Sequence, residues 1–219
     1  MTTLLVDPWR EVVEAAAHKA AIAEDSERWG DTNTMFEYRW EHVQAAVRLA
    51  TRLAERTGAD REVCEAAAWL HDVAKLHSRE HGTDHGFDGA DMARDILAQS
   101  DFPAEKIEAV ADAIAKHVGL ETSALIQPLE AAILWDADKL TKLGATIVLH
   151  AIGYKLAKGE KTTEALIEFV CDQEWGENIV RCLNTAPARA AGQARLAAYR
   201  AFCKAAQAEY GGEDLLAEQ

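Results

Sequence analysis

The sequence predicts an all-α fold, and three observations carry that expectation. Apolar residues recur at helical spacing along nearly the whole chain. No segment shows the apolar and polar alternation of a half-buried strand. Ala and Glu are abundant, while the 219 residues include only 4 Pro.

A first helix is expected from about Pro8, which suits a first-turn position, to Glu24, with Val12, Val13, Ala16, Ala20 and Ala23 near helical spacing. The polar stretch Asp25 to Asn33 should end it. The second, roughly Phe36 to Arg56, carries Phe36, Trp40, Val43, Val47, Ala50 and Ala54 in steps of four and three, with Gly58 as its stop. Its other stripe, His42, Ala46, Leu49 and Leu53, turns His42 into packed surroundings. The third begins near Asp60, a suitable N-cap, shows Val63, Ala67, Leu70 and Ala74, and holds His71 and Asp72 in its last turns.

Between Leu76 and Asp88 the periodicity fails, and a loop over the pocket is expected, followed by a helix to about Gln99. Pro103 opens a helix with the stripe Ile107, Val110, Ile114 and His117, closed by Gly119. Pro128 opens the next, which carries Asp138. Further helices are expected over 142–158, 162–183 and 187–210, with a frayed tail after Gly211. Nothing divides the chain, so 1–219 reads as one compact helical bundle. Its motif core lies at about 36–155, and C-terminal helices at 162–210 pack on it.

The formal net charge of −14 argues against a nucleic-acid partner, which needs a basic face to release counterions. A small phosphorylated substrate stays compatible, because a bound dication dominates its local field. Leu4-Leu5-Val6 before Asp7 and Pro8 makes no signal peptide, and no apolar run would span a bilayer. A cytoplasmic location without membrane partners is expected, and a homodimer is left open. Cys64, Cys171, Cys182 and Cys203 form no Cys-x-x-Cys pair and read as bystander thiols in a reducing compartment.

Four residues point to chemistry: His42, the adjacent His71 and Asp72, and Asp138 within Ala137-Asp138-Lys139-Leu140. A mixed imidazole and carboxylate shell suits a divalent Mn, Fe, Co, Ni or Zn ion, with Mg admitted, whereas thiolates suit structural zinc. The site is therefore expected to be catalytic. Asp136 competes with Asp138. Residues two apart on a helix lie about 200° around its axis, so both cannot face one ion. Periodicity leaves the choice open, since Leu129, Ile133 and Leu140 flank Asp136 as Ala131, Leu134 and Trp135 flank Asp138.

In this order His42, His71, Asp72 and Asp138 resemble the ligand set of the HD-domain superfamily of metal-dependent phosphohydrolases. The run His71-Asp72-Val73-Ala74-Lys75 resembles the family's extended His-Asp motif. His85 with Gly89-Ala90 and Ala93, Lys116-His117-Val118-Gly119, and Glu130 through Leu140 with Gly144-Ala145 resemble later blocks. A lone His-Asp dipeptide carries nothing, but ordered blocks over this span are specific.

The resemblance implies Asp138 as the last ligand, because the family's ligand is the Asp of an Ala-Asp-(Lys or Arg) block; Asp136 is left to capping or supporting hydrogen bonds. It also implies a second ion on His85 and His117 with Asp72 bridging, so one or two ions per chain. A two-metal site activates water and stabilises oxygens on the phosphorus under attack. Lys75, one turn beyond His71, is placed to meet a phosphate oxygen, or else is a helix-end cation.

Two departures matter. Ala45 stands where many relatives carry an Arg, so that phosphate contact is either missing or supplied elsewhere, with Arg39 and Arg48 as the candidates. Lys75-Leu76 stands where the guanosine tetraphosphate hydrolases carry Glu-Asp, which argues against that activity. The implied function is hydrolysis of a phosphoric ester or anhydride in a nucleotide or other small phosphorylated metabolite, with Asp72 and Lys75 as catalytic residues. The alternatives are a catalytically silent metal- or nucleotide-binding regulator and a di-iron oxygenase of the same fold. His77 and His81 are expected as solvated loop residues, and His18 and His150 as ordinary surface or packing residues. Trp9, Trp29, Trp69 and Trp135 are expected as core or rim aromatics.

Overall fold

Every regular element in the computed structural model, which describes residues 8–30, 36–171 and 176–216, is helical. In chain order the α-helices are α1 (Pro8–Trp29), α2 (Tyr38–Thr57), α3 (Arg61–Leu70), α4 (Lys75–His81), α5 (His85–Ala98), α6 (Ile107–Ala115), α7 (Leu129–Leu140), α8 (Ala145–Ala157), α9 (Thr163–Cys171), α10 (Gly176–Arg181) and α11 (Ala186–Gly211), with short 3-10 turns at Ala104–Lys106 and Glu213–Leu215. The all-α expectation holds. Among the described residues no helix is long and apolar enough to cross a membrane.

The axis of the bundle is α7, whose residues from Ala131 to Leu140 are all buried. A helix that is covered all round must be wrapped by others, and α2, α3, α6 and α11 supply that cover. Each turns its apolar stripe inward: Val43, Val47, Ala50 and Leu53 from α2, Val63, Ala67 and Leu70 from α3, Val110 and Ile114 from α6. Asp60 caps α3 as expected, accepting from the backbone N–H groups of Glu62 and Val63 at 3.0 and 3.3 Å.

Close approach of α5 to its neighbours depends on two glycines. A Cβ on Gly86 would lie 2.7 Å from Val118 Cγ2, and one on Gly89 would lie 3.2 Å from Ile114 Cγ2. With only hydrogen at both positions, α5 lies against α6 and the chain after it. A smaller apolar cluster of Val148, Val170, Tyr199 and Cys203 joins α8, α9 and α11.

Several boundaries differ from expectation. Helix α1 does not stop at Glu24 but continues to Trp29. Glu24 and Asp25 are buried and serve Arg39: the Arg39 guanidinium pairs with Glu24, and its backbone N–H donates to Asp25 Oδ2 at 2.9 Å. The rest of the expected polar break, 31–33, lies outside the described residues. The expected loop over 76–88 contains α4, which buries only Ser78 and so shows no apolar stripe. Polar ties organise this region instead: Asp88 accepts from Ser78 Oγ at 2.6 Å and also from Thr83 Oγ1. The segment 162–183 holds two helices, α9 and α10, with 172–175 outside the described residues. His71 and Asp72 lie just past α3, in the turn that links it to α4.

Asp136 is fully buried and points toward the start of α11. It accepts from the backbone N–H groups of Asn184 and Thr185 at 2.7 and 2.8 Å, from Thr185 Oγ1 at 2.8 Å and from Asn184 Nδ2 at 3.2 Å. Burial pushes its carboxyl up, and these donors hold it back. The Asp136→Ala variant is expected to lose about 2–4 kcal/mol of stability, since it orphans buried donors. Its metal content should match the parent. Denaturant unfolding with elemental analysis checks both, and metal loss without destabilisation would reverse the assignments of Asp136 and Asp138.

Candidate metal centre

The turn after α3 is the hinge of the site. The N–H of Val73 donates to Leu70 O and that of Lys75 to Asp72 O, both at 3.1 Å, a tight turn that presents His71 and Asp72 into one space. His42 arrives from α2, Asp138 from the last turn of α7, His85 from the first residue of α5 and His117 from just beyond α6.

The structure brings all six together. Asp72 Oδ2 lies 3.6 Å from His42 Nε2 and 3.5 Å from His71 Nε2. Its other oxygen, Oδ1, lies 3.7 Å from both His85 Nε2 and His117 Nε2. His42 Nε2 is 3.2 Å from Asp138 Oδ1. In each of the triads His42, His71, Asp72 and Asp72, His85, His117 the ligand atoms lie within 4.8 Å of one another. One carboxylate thus turns one oxygen toward each histidine pair.

The hydrogen bonds behind the rings decide what those nitrogens offer. His71 Nδ1 lies 2.8 Å from Ala68 O and His117 Nδ1 lies 2.6 Å from Ile114 O. A carbonyl only accepts, so both Nδ1 atoms carry the proton and both Nε2 atoms present a lone pair. Thr141 donates its hydroxyl to Asp138 O and therefore accepts from His42 Nδ1 at 3.2 Å. That leaves His42 Nε2 bare as well. His42 Nε2 and His71 Nε2 stand 3.2 Å apart with neither holding a proton for the other. No ring proton lies between these lone pairs and the carboxylate oxygens, whose only donors among the described residues are the cations Arg39 and Lys75 on Asp72 and Lys139 and Lys142 on Asp138; such a nitrogen and oxygen set fits a divalent cation.

The electrostatics agree. Burial holds the His42 imidazole down to about 3 and His71 and His85 down to about 4, so all three are neutral near pH 7 and able to act as ligands. Burial would raise Asp72, but the Arg39 guanidinium, then Lys75, keeps it well below the usual carboxylate range. Asp138 is likewise held down against burial by Lys139 and Lys142. Both carboxylates are therefore charged.

Beside His42 opens a cavity of about 470 Å³, lined by Phe36, Tyr38 and His150 on one side and by Arg48, Lys75, Lys142 and Arg195 among its polar residues. The Lys75 ammonium lies 3.2 Å from Asp72 Oδ1 with its side chain about one-third exposed. Ala45, Arg48 and Arg39 all line this cavity, but Arg39 is buried and engaged by Glu24 and Asp72. Of the two arginines that could replace a missing one at position 45, Arg48 is the one without an ion pair among the described residues.

His150 is a packing residue, as expected, but one with a place at the site. Its ring lies 4.2 Å from Tyr38 and 5.1 Å from Phe36 and forms part of the cavity wall. His18 packs on Trp40, as expected. His77 and His81 are exposed, but on α4 rather than in a loop. Trp9 and Trp135 are buried, and Trp29 and Trp69 half-buried. The sequence reading missed Glu24, Lys142 and Arg195. Of these only Lys142 had a signal, four residues after Asp138 on the same helical face.

Residues 39–143, from α2 to the turn after α7, match the HD domain family. Over 55 residues the chain is 44% identical to ribonuclease Y of Cutibacterium acnes, a stretch that is 25% of this chain and spans only 10% of that protein. A crystal structure described as a predicted HD superfamily hydrolase, from an uncultured Thermotogales bacterium, superposes with a TM-score of 0.68 at 21% identity, covering 94% of this chain and 96% of that one. Bacillus subtilis YpgQ in complex with ADP superposes with a TM-score of 0.59 at 19% identity, covering 88% and 97%. At these identities the two structures show a shared fold.

Proposed function

We propose that this chain, whose residues 39–143 match the HD domain family, is a metal-dependent phosphohydrolase acting on a nucleotide or a small phosphorylated metabolite. The observation that carries the reading is the double aim of Asp72, one oxygen toward His42 and His71 and the other toward His85 and His117. On this reading His42, His71, Asp138 and Asp72 hold one divalent ion, and Asp72, His85 and His117 hold a second. A bound ion would lower the pKa of water and stabilise charge on phosphoryl oxygens.

The chain's own residues do the rest. Arg39, anchored by Glu24, fixes the Asp72 carboxylate. Lys75 and Lys142 bring two ammonium groups to the wall of the cavity next to His42, where a phosphate would enter. The aromatic wall of Tyr38, Phe36 and His150 offers ring faces to a base. The ADP bound by a protein of the same fold, YpgQ, supports a nucleotide. The short ribonuclease Y likeness makes an RNA phosphodiester the second substrate class, against which the net charge of −14 weighs.

Elemental analysis of protein purified without added metal, followed by nucleotides, sugar phosphates and a short RNA, tests the proposal. Bound transition metal with turnover of a phosphorylated small molecule is expected. Metal-loaded protein inert toward the whole panel would overturn it. Within this scheme Lys75→Ala should lower kcat/KM by roughly 10–100-fold while metal content stays at the parental level, since the ammonium meets phosphate rather than holding the ion. Unchanged kinetics would leave Lys75 a helix-end cation only.

A further inference from the structure

The cations around the cavity divide into two kinds. Arg39 is answered by Glu24 and Asp72, Lys75 by Asp72, and Lys142 by Asp138. Arg48 on α2 and Arg195 on α11 line the same cavity, and neither makes an ion pair among the described residues. In a chain with 37 acidic and 23 basic side chains, two unanswered guanidinium groups facing one cavity call for an explanation.

Arg195 is held where it is. Its Nη1 donates to Leu140 O at 2.6 Å, which places the guanidinium at the end of α7, next to the turn that follows Asp138. Its stem lies over Gly144, where a Cβ would come within 3.0 Å of Arg195 Cβ and Cγ, and where φ is +91°. A side chain at position 144 would be strained and would push the stem away. One N–H is used on Leu140, and the remaining donors of the guanidinium are available to a ligand. Among the described residues the one carboxylate lining the cavity is Glu41, exposed on α2.

We propose that Arg195 and Arg48 form a second anion subsite, so that the substrate carries two anionic groups. One meets the metal centre with Lys75 and Lys142, and the other meets the two guanidinium groups. A diphosphate or longer phosphate chain satisfies this, and so does a phosphate linked to a carboxylate. Guanidinium suits either, because its fork matches two oxygens of one anion. The subsite makes α11, outside the span 39–143 that matches the HD domain, a determinant of specificity. This inference rests on the cavity being the substrate site of the proposed phosphohydrolase.

Three non-hydrolysable probes separate the cases by calorimetric titration of the metal-loaded protein, with metal content measured after each: methylphosphonate, methylenediphosphonate and phosphonoacetate. Methylenediphosphonate should bind about tenfold or more tighter than methylphosphonate, the factor one charge-assisted pair supplies. Arg195→Ala should remove most of that preference while leaving methylphosphonate binding unchanged, and Arg48→Ala should reduce it. Phosphonoacetate matching methylenediphosphonate assigns the second group to any anion; weaker binding assigns it to phosphate. Equal binding by the parent of the probes with one and with two anionic groups overturns the subsite, as does equal weakening of both in Arg195→Ala. If Arg195→Ala does not fold, the exposed Arg48→Ala decides, and an undiminished preference there overturns the proposal. A preserved preference in a protein that hydrolyses nothing would instead sink the phosphohydrolase reading and leave the subsite standing.

Discussion

Asp72→Ala is expected to empty the centre of metal and lower turnover on the order of 10³-fold or more, the scale on which single electrostatic groups at a reacting centre act. The residue serves both triads at once, through different oxygens. It also supplies charge that neutral imidazoles cannot: with His42 down to about 3 and His71 and His85 to about 4, attraction for a cation falls on Asp72 and Asp138. Helical content should survive, because the turn after α3 is tied by backbone hydrogen bonds and Arg39 keeps Glu24 as a partner. Asp72→Asn is the control for shape, retaining the volume while losing the charge. Elemental analysis and circular dichroism read the result. Full metal occupancy in a folded Asp72→Ala protein would remove Asp72 from the ligand set.

Helices that bury an apolar stripe were legible in the sequence. The stripes of α2, α3 and α6 and the proline before α7 placed those elements within a few residues, since periodic burial leaves periodic hydrophobicity. Helix α4 was not legible, because it buries little and is organised by caps and by Asp88. The end of α1 failed for a related reason. Glu24 and Asp25 look like solvated polar residues, yet they are buried against Arg39, about fifteen residues on, and such a network has no period to detect.

The site divides in the same way. Donor types, their order and the resemblance to the HD-domain superfamily named the six candidate ligands, but only the folded chain shows which oxygen of Asp72 faces which pair, and that Asp136 turns instead to α11. The sequence left Asp136 and Asp138 undecided on periodicity because α7 is buried on every side. Arg195 and His150 stayed hidden because they reach the cavity from helices remote in sequence; Arg195 meets Leu140 across 55 residues.

His117→Ala is expected to remove one equivalent of metal, leave the other, and lower activity about 100-fold. The Nε2 of His117 faces Asp72 Oδ1 at 3.7 Å beside His85, whereas His42 and His71 face the opposite oxygen and Asp138 lies 3.2 Å from His42. Losing this imidazole therefore weakens one half of the centre. The backbone at 117 should stay in place, since its carbonyl accepts from the buried Lys139 ammonium at 2.8 Å, a contact the substitution does not touch. A purely structural histidine predicts a different pattern: a lost bond to Ile114 O and a core defect of about 1–3 kcal/mol, with metal content unchanged. Metal stoichiometry and thermal midpoint on this one variant distinguish the two. A drop from two equivalents to one with a modest shift in midpoint supports a binuclear centre bridged by Asp72. A single equivalent in the metal-saturated parent refutes it, and leaves His85 and His117 as neighbours of a mononuclear site held by His42, His71, Asp72 and Asp138.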